Sequence, residues 1–140
     1  IYFDRTIKLN IFNTTKRRPR TIYLVRIRIM ANIYKNQKLD LTTTAATTLY
    51  TVPSNSRAIV KSILVCDDSN NGSTITLTLT DASGNVFVLF DVKTIAGHAT
   101  EQLLSEPLIL QESEVLTATA ADANRLHVVA SILEINREDR

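Results

Sequence analysis

The sequence predicts an all-β fold, an antiparallel β-sandwich of about eight strands in either a jelly-roll or an immunoglobulin-like arrangement. Two observations support this prediction. From Ile33 onward, apolar and polar residues alternate in short runs, and no segment sustains a helical stripe. All three glycines, Gly72, Gly84 and Gly97, fall in the gaps between apolar runs, where a turn can use a positive φ. Turn residues recur about every ten residues, which is typical of a sandwich or barrel.

The first half of the domain holds four predicted strands, each rich in β-branched or apolar residues. They cover residues 38–43, 47–52, 58–66 and 74–80. Pro53 ends the second strand, because proline has no N–H to donate to a sheet ladder. The stretch 68–72, rich in Asn and Ser and ending in Gly, is a predicted turn before the fourth strand. That fourth strand alternates most strictly, so it should bury one face and expose the other.

The second half holds five more predicted strands. They cover residues 86–95, 101–105, 108–110, 115–120 and 126–135. Residues 81–84 (Asp-Ala-Ser-Gly) form a hairpin turn before the first of these strands. Gly97 marks the next turn, Pro107 precedes the third of these strands, and residues 111–114 make a short turn before the fourth. The last strand closes the domain.

Residues 1–29 differ in composition from the rest of the chain. They contain eight basic residues and one acidic residue (+7), whereas residues 30–140 contain eight basic and thirteen acidic residues (−5). They also lack Ala, Gly, Ser, Glu and Gln, and Met30 is the only methionine. We therefore expect 30–140 to be the sandwich domain, and 1–29 to be translated upstream sequence or a disordered arm.

A nucleic-acid-binding arm is the alternative interpretation of this basic segment. Residues 16–20 (Lys-Arg-Arg-Pro-Arg) could contact phosphates, and the alternation of 25–29 could form a basic-faced strand. The patch contains no stacking aromatic residue and matches no named DNA- or RNA-binding motif. A nucleic-acid partner is therefore not favoured.

The sequence contains no recognisable arrangement of catalytic or metal-binding residues. His98, His127 and Cys66 do not form the closely spaced set that zinc sites use. No glycine-rich phosphate loop, nucleophile elbow or nucleophile–His–carboxylate arrangement is present. We therefore predict no enzymatic activity, no catalytic residue, no cofactor and no metal.

One stretch matches the opening of a calcium-binding loop. Asp67, Ser69, Asn71 and Gly72 have the required spacing, but Thr78 stands where that motif needs a bidentate glutamate. The stretch is therefore predicted to be a hairpin turn.

Several predicted strands are apolar on both faces. In strict alternation, residues 58–66 place Val60 with Leu64 on one face and Ile63 with Val65 on the other. An isolated two-layer sandwich needs only one apolar face per strand, so we expect packing against other subunits to cover the second. Loops or residues 1–29 could instead cover it within one monomer. The candidate assembly interface consists of Ile59, Ile63, Val65, Phe87, Leu89, Val129 and Leu133.

Several phrases together resemble the small β-sandwich structural proteins of tailed-bacteriophage virions, particularly those of marine cyanophages. The phrases are 49–53 (LYTVP), 57–63 (RAIVKSI), 65–67 (VCD), 103–110 (LLSEPLIL), 115–120 (VLTATA) and 126–135 (LHVVASILEI). The resemblance spans residues 49–135 and leaves 1–29 uncovered. It implies a non-enzymatic head-decoration or neck/tail accessory protein, made in the host cytoplasm and located in the virion.

The partners expected from the apolar faces and the resemblance are other proteins. They are further copies of the chain, with a trimer as one option, and virion proteins such as the major capsid or neck/tail proteins. No apolar run approaches the length of a membrane span, so no membrane partner is expected. The alternative function is a host-surface or carbohydrate-binding module of a tail fibre. The absence of Trp disfavours it, because sugar sites usually use exposed aromatic residues.

Overall fold

The computed structural model describes residues 4–8, 24–28 and 31–137, and all regular elements in these ranges are β-strands. The predicted all-β class is confirmed. Two strands precede the domain: β1 (Asp4–Lys8) and β2 (Leu24–Arg28). Nine strands follow: β3 (Ala31–Asp40), β4 (Thr47–Thr51), β5 (Ser56–Asp67), β6 (Ser73–Thr80), β7 (Val86–Ile95), β8 (Thr100–Gln102), β9 (Leu108–Leu110), β10 (Val115–Ala120) and β11 (Leu126–Asn136).

The nine strands form two antiparallel sheets. The four-stranded sheet has the order β4-β10-β6-β7, and the five-stranded sheet has the order β3-β11-β5-β8, with β9 also paired to β5. The chain pairs in a nested way: β6 with β7, β5 with β8 and β9, β4 with β10, and β3 with β11. Such a long hairpin, folded over so that successive pairs alternate between two sheets, is a jelly roll. Of the two arrangements that the sequence left open, the structure has this one.

The hydrophobic core lies between the two sheets. Its largest fully buried side chains are Leu41, Leu49, Val52, Val60, Ile63, Ile75, Leu77, Ile95, Leu110, Leu116, Leu126 and Ile132. They come from strands of both sheets and from the loops that follow β3 and β4, as the alternating pattern predicts.

The first strand of the domain begins earlier than predicted. β3 spans Ala31–Asp40, whereas the prediction was 38–43. It pairs with β11 along its whole length, from Ala31 opposite Asn136 to Asp40 opposite His127. Its inward positions include Lys35, so the apolar alternation that signals a strand is missing there. Pairing with β11 therefore decides the position of this strand.

A β-bulge in β5 corrects the predicted strand faces. Ser62 pairs with Ser131 and Val60 pairs with Ile132, which leaves Lys61 as an extra residue. One extra residue inverts the alternation, so Val60 faces the core before the bulge and Ile63 and Val65 face it after the bulge. The prediction that Val60 lies opposite to Ile63 and Val65 is wrong for this reason.

The basic N-terminal segment is described only in part. β1 and β2 pair with each other in antiparallel fashion, Asp4 opposite Arg28, in a sheet separate from the two sheets of the sandwich. The basic patch 16–20 lies outside the described residues. The interpretation of 1–29 as upstream sequence or an arm stays a prediction.

Candidate assembly surfaces

The exposed apolar side chains of residues 31–137 gather on two surfaces. The first, here called the sheet face, is the outward side of the five-stranded sheet, with Tyr34, Ile59, Leu64, Ile109, Val129 and Leu133. The second, here called the β7 edge, lies on the outermost strand of the four-stranded sheet, with Val86, Phe87, Val88 and Val92. Large exposed apolar patches are unusual on monomeric proteins and mark sites of interaction.

A row of apolar side chains crosses the whole sheet face. Leu133 of β11 pairs with Tyr34 on one side and with Ile59 on the other, and Ile59 pairs in turn with Ile109. Tyr34 and Ile109 at the two ends are 72% and 62% exposed, and the two central residues are half-buried. Directly opposite residues on neighbouring strands have Cβ atoms only about 5 Å apart. The four side chains therefore form one continuous apolar strip.

The sheet face has an excess of positive charge around this strip. Arg57, Lys38 and Lys61 are exposed there, and the acidic groups Asp40 and Asp68 both lie beside His127. The Nζ atom of Lys61 lies 5.6 Å from the centroid of the Tyr34 ring, within the range of a cation–π contact. His127 also lies on this face, with Nε2 3.4 Å from an Asp40 carboxylate oxygen.

The β7 edge is an irregular edge strand. Of the described strands, β6 alone pairs with β7, and the register shifts twice along that pairing. At one of these irregularities Val92 has a φ of 47°, a conformation that β-branched residues rarely adopt. Its N–H donates to Oγ1 of Thr76, 3.2 Å away. Bulges are a common means of preventing uncontrolled pairing at a sheet edge, so the irregularity favours side-chain contacts over the addition of another strand.

The β7 edge has an excess of negative charge. Asp91 is exposed, and Asp81 lies in the turn that precedes β7. Hydrogen bonds from Asn85, first from its side chain and then from its backbone, hold the pKa of Asp81 below its usual range. The Lys93 ammonium is paired with Glu101 at 3.0 Å. The two aspartates are therefore left as the net charge beside this edge.

The structure separates the seven residues of the predicted interface into two groups. Ile63 and Val65 are 0% exposed and belong to the core because of the bulge at Lys61, so neither can contact another chain. The remaining five are accessible: Phe87 is exposed, while Ile59, Leu89, Val129 and Leu133 are partly exposed. For these five, a role in assembly stays a prediction.

Sequence reasoning missed the exposed residues at the ends of the apolar strip. Tyr34 lies in a strand whose beginning was placed too late, and Ile109 lies in the short apolar run of β9. Tyr34 and Ile109 belong to one surface because β3, β11, β5 and β9 pair with one another, which brings together residues from distant parts of the chain.

A buried polar cluster joins the two sheets near the sheet face. The Tyr50 hydroxyl of β4 donates to Oε2 of Glu134 in β11 at 2.5 Å, and the Nζ atom of Lys35 in β3 lies 2.6 Å from the same oxygen. Burial raises the pKa of Tyr50, and the hydrogen bond to Glu134 adds to this effect. Burial also opposes ionisation of Glu134, but the hydrogen bonds from Lys35 and Tyr50 outweigh it and lower the pKa of that carboxyl. The cluster therefore holds three strands together through one ionised carboxylate.

The stretch that resembles a calcium loop forms a compact turn, but the prediction of a hairpin turn is wrong, because the flanking strands β5 and β6 lie in different sheets. Oδ1 of Asp67 accepts hydrogen bonds from the backbone N–H of Ser69 at 2.7 Å and from its hydroxyl at 2.6 Å. Among the residues that the structure describes, Oδ2 of the buried Asp67 has no hydrogen-bond partner. In the part of the chain that the structure describes, no group of three or more His, Cys, Asp or Glu residues could hold a metal ion. The same part contains no helix long and apolar enough to cross a membrane.

No protein-family model matches the sequence, and no curated protein matches it. Three solved structures illustrate where similar architectures occur. A chain from the acidic stable capsid structure of Helicobacter pylori bacteriophage KHP30 is 13% identical, with a TM-score of 0.49 over 78% of this chain and 100% of that one. A chain from infectious bursal disease virus Gx strain is 10% identical, with a TM-score of 0.47 over 92% of this chain and 38% of that one. A chain from the disulfide-linked pili of Bacillus endospore appendages is 8% identical, with a TM-score of 0.43 over 77% and 87%. These are likenesses of overall architecture.

Proposed function

We propose that this chain is a non-enzymatic structural protein of a phage particle, which decorates or stabilises the capsid or the neck and tail by packing in many copies. The observation that carries the proposal is the gathering of exposed apolar side chains on two surfaces of a sandwich whose core is already complete. The resemblance of residues 49–135 to virion β-sandwich proteins supports the same role.

In the proposed role, the protein acts by binding other proteins through its surfaces. Each contact made through the sheet face or the β7 edge removes apolar surface from water, which is the main favourable term in protein association. A protein that binds the assembled shell, and does not bind its dissociated subunits, stabilises the shell by mass action. No group on either surface needs to change its protonation state.

The test is to look for the chain in purified particles of the phage that encodes it. Mass spectrometry of the particles should detect the protein at many copies per particle, and a cryo-EM map should contain its jelly roll at repeated positions on the head, neck or tail. Absence of the chain from particles that are otherwise complete would refute the proposal. Specific binding on a glycan array, together with a position at the tip of a tail fibre, would favour the carbohydrate-binding alternative instead.

A further inference from the structure

We infer that copies of this chain associate head to tail, with the β7 edge of one copy docked on the sheet face of a second copy. The inference specifies the partner for the surfaces on which the proposed function rests. It identifies the occupant of the sheet face as another molecule of the same protein.

The location of the two surfaces favours a head-to-tail contact. The sheet face belongs to the five-stranded sheet and the β7 edge to the four-stranded sheet, so they are different surfaces of one molecule. A two-fold symmetric contact buries the same surface on both partners and would leave the other surface in water. A head-to-tail contact buries one sheet face and one β7 edge at every junction. Such contacts repeat from copy to copy, producing rings or extended arrays.

The charges of the two surfaces are complementary. The sheet face carries Arg57, Lys38 and Lys61 against Asp40 and Asp68. The β7 edge has Asp91 exposed beside it, with Asp81 in the preceding turn and Lys93 already neutralised by Glu101. Docking one sheet face on another would bring cations together, and docking two β7 edges would bring aspartates together. Opposite potentials favour the mixed contact and disfavour both symmetric ones.

The two surfaces have comparable lengths. The apolar strip crosses four strands, which corresponds to a length of roughly 14 Å at the usual spacing between strands. The β7 edge extends from Val86 to Val92, which corresponds to roughly 20 Å at the usual rise per residue. Its side chains project on both sides of the strand, with Val86 and Val88 on one side and Phe87 on the other. The outward face of the rest of the four-stranded sheet offers no comparable strip, because threonines such as Thr48, Thr78 and Thr117 share one row there.

Two variants of the full 140-residue chain test the inference together. Ile109→Glu places a negative charge in the apolar strip, where it would meet the aspartates of the β7 edge. Val88→Lys places a positive charge on the β7 edge, where it would meet Lys61 and its neighbours. Both residues are exposed, so the fold should persist, and circular dichroism verifies this. Thr48→Lys is the matched control, since Thr48 is exposed on β4, at the edge of the four-stranded sheet opposite to β7.

The expected results in analytical ultracentrifugation are specific to a head-to-tail contact. The unmodified chain and the control should form species larger than a dimer as concentration rises, while each of the two variants alone should remain monomeric. An equimolar mixture of the variants should associate again. In the mixture, the intact β7 edge of the Ile109→Glu copy can occupy the intact sheet face of the Val88→Lys copy, a junction that neither variant can form alone.

Several outcomes would overturn the inference. They are a monomeric unmodified chain at every concentration, a mixture of the two variants that stays monomeric, and a loss of association in the Thr48→Lys control. The outcome of the mixing experiment is independent of the test of the proposed function. A chain that is found in particles but fails the mixing experiment keeps its virion role and loses the head-to-tail contact, whereas a chain that passes and is absent from particles keeps the contact and loses the role.

Discussion

Glu134 is a buried charged residue, only 5% exposed, and neighbouring side chains stabilise it there. Its carboxylate accepts a hydrogen bond from the Tyr50 hydroxyl and forms an ion pair with the Lys35 ammonium. The Lys35 Nζ atom also lies 5.0 Å from the centroid of the Tyr50 ring. A buried charge is tolerated only when it is paired and hydrogen-bonded. The inward-facing Lys35 in β3 is explained by this cluster, because its charge is matched from the neighbouring strand.

Replacing Glu134 by glutamine should destabilise the protein by about 1–2 kcal/mol near neutral pH, because a charge-assisted hydrogen bond becomes a neutral one. The pKa of Glu134 is lowered in the folded state from its ordinary value of 4.5, so its stabilising effect is present above that pH and is lost as the pH falls through the folded pKa. The difference in the free energy of unfolding between the native protein and the variant should therefore become smaller at acidic pH. Urea denaturation at neutral and acidic pH measures it.

The control for this prediction is Glu112→Gln, which removes a carboxylate from an exposed turn. Its free energy of unfolding should match that of the native protein at both pH values. A Glu134→Gln destabilisation that stays constant with pH would contradict the assignment of the effect to ionisation of Glu134.

Val92 is a β-branched residue held at a positive φ. Left-handed backbone costs an ordinary residue about 1–2 kcal/mol, and glycine adopts it without that cost. Val92→Gly should therefore raise the free energy of unfolding by about 1 kcal/mol. Val86→Gly is the matched control, because Val86 lies on the same strand and is 61% exposed against 59% for Val92. That control should lower stability, and a loss of stability in both variants would contradict the prediction.

At the scale of the elements, the bulge in β5 decides which side chains enter the core. Lys61 has no partner in the pairing with β11, and its presence lets Val60 and Ile63 face the same way. A strand of unbroken alternation would place Ile63 and Val65 in solvent and Leu64 in the core. Lys61, an exposed residue, therefore sets the orientation of its neighbours in the strand.

Deletion of Lys61 should prevent folding of the domain, because half of β5 would have to present its opposite face to the core. Lys61→Ala keeps the extra residue and should change the free energy of unfolding by only about 0.5 kcal/mol or less. Circular dichroism and denaturant titration of the two variants measure the contrast. A deletion variant with native stability would show that the bulge can move or be lost without cost.

At the scale of the whole molecule, the jelly roll separates two apolar surfaces and gives them opposite charge. The core is closed by strands of both sheets, so neither surface is needed for the fold itself. Head-to-tail contact explains why both remain apolar. It also gives the association a measurable dependence on salt.

The rate of association of the full chain should fall as ionic strength rises, because charges of opposite sign on the two surfaces steer the encounter and salt screens them. The dissociation rate should change less, since the apolar strip supplies most of the contact. Stopped-flow light scattering at low and high salt measures the two rates. Lys61→Glu is the companion variant, and it should reduce the salt dependence of the association rate. An association rate that is unchanged by salt would contradict the complementarity of the two surfaces.

The fold class and the positions of most strands follow from local patterns in the sequence. Alternation and turn chemistry act over about ten residues, so they can be recognised without the rest of the chain. Where a strand lacks that alternation, as β3 does around Lys35, its start could not be placed.

Which faces point inward, and which residues share a surface, follow from the pairing of strands in three dimensions. The bulge at Lys61 appears only when β5 is paired with β11, and it moved Ile63 and Val65 from the predicted interface into the core. The apolar strip from Tyr34 to Ile109 likewise exists only through the pairing of four strands that are distant in sequence. The physical reason is that periodicity sets the alternation within a strand, while the register between strands sets its absolute direction and its neighbours.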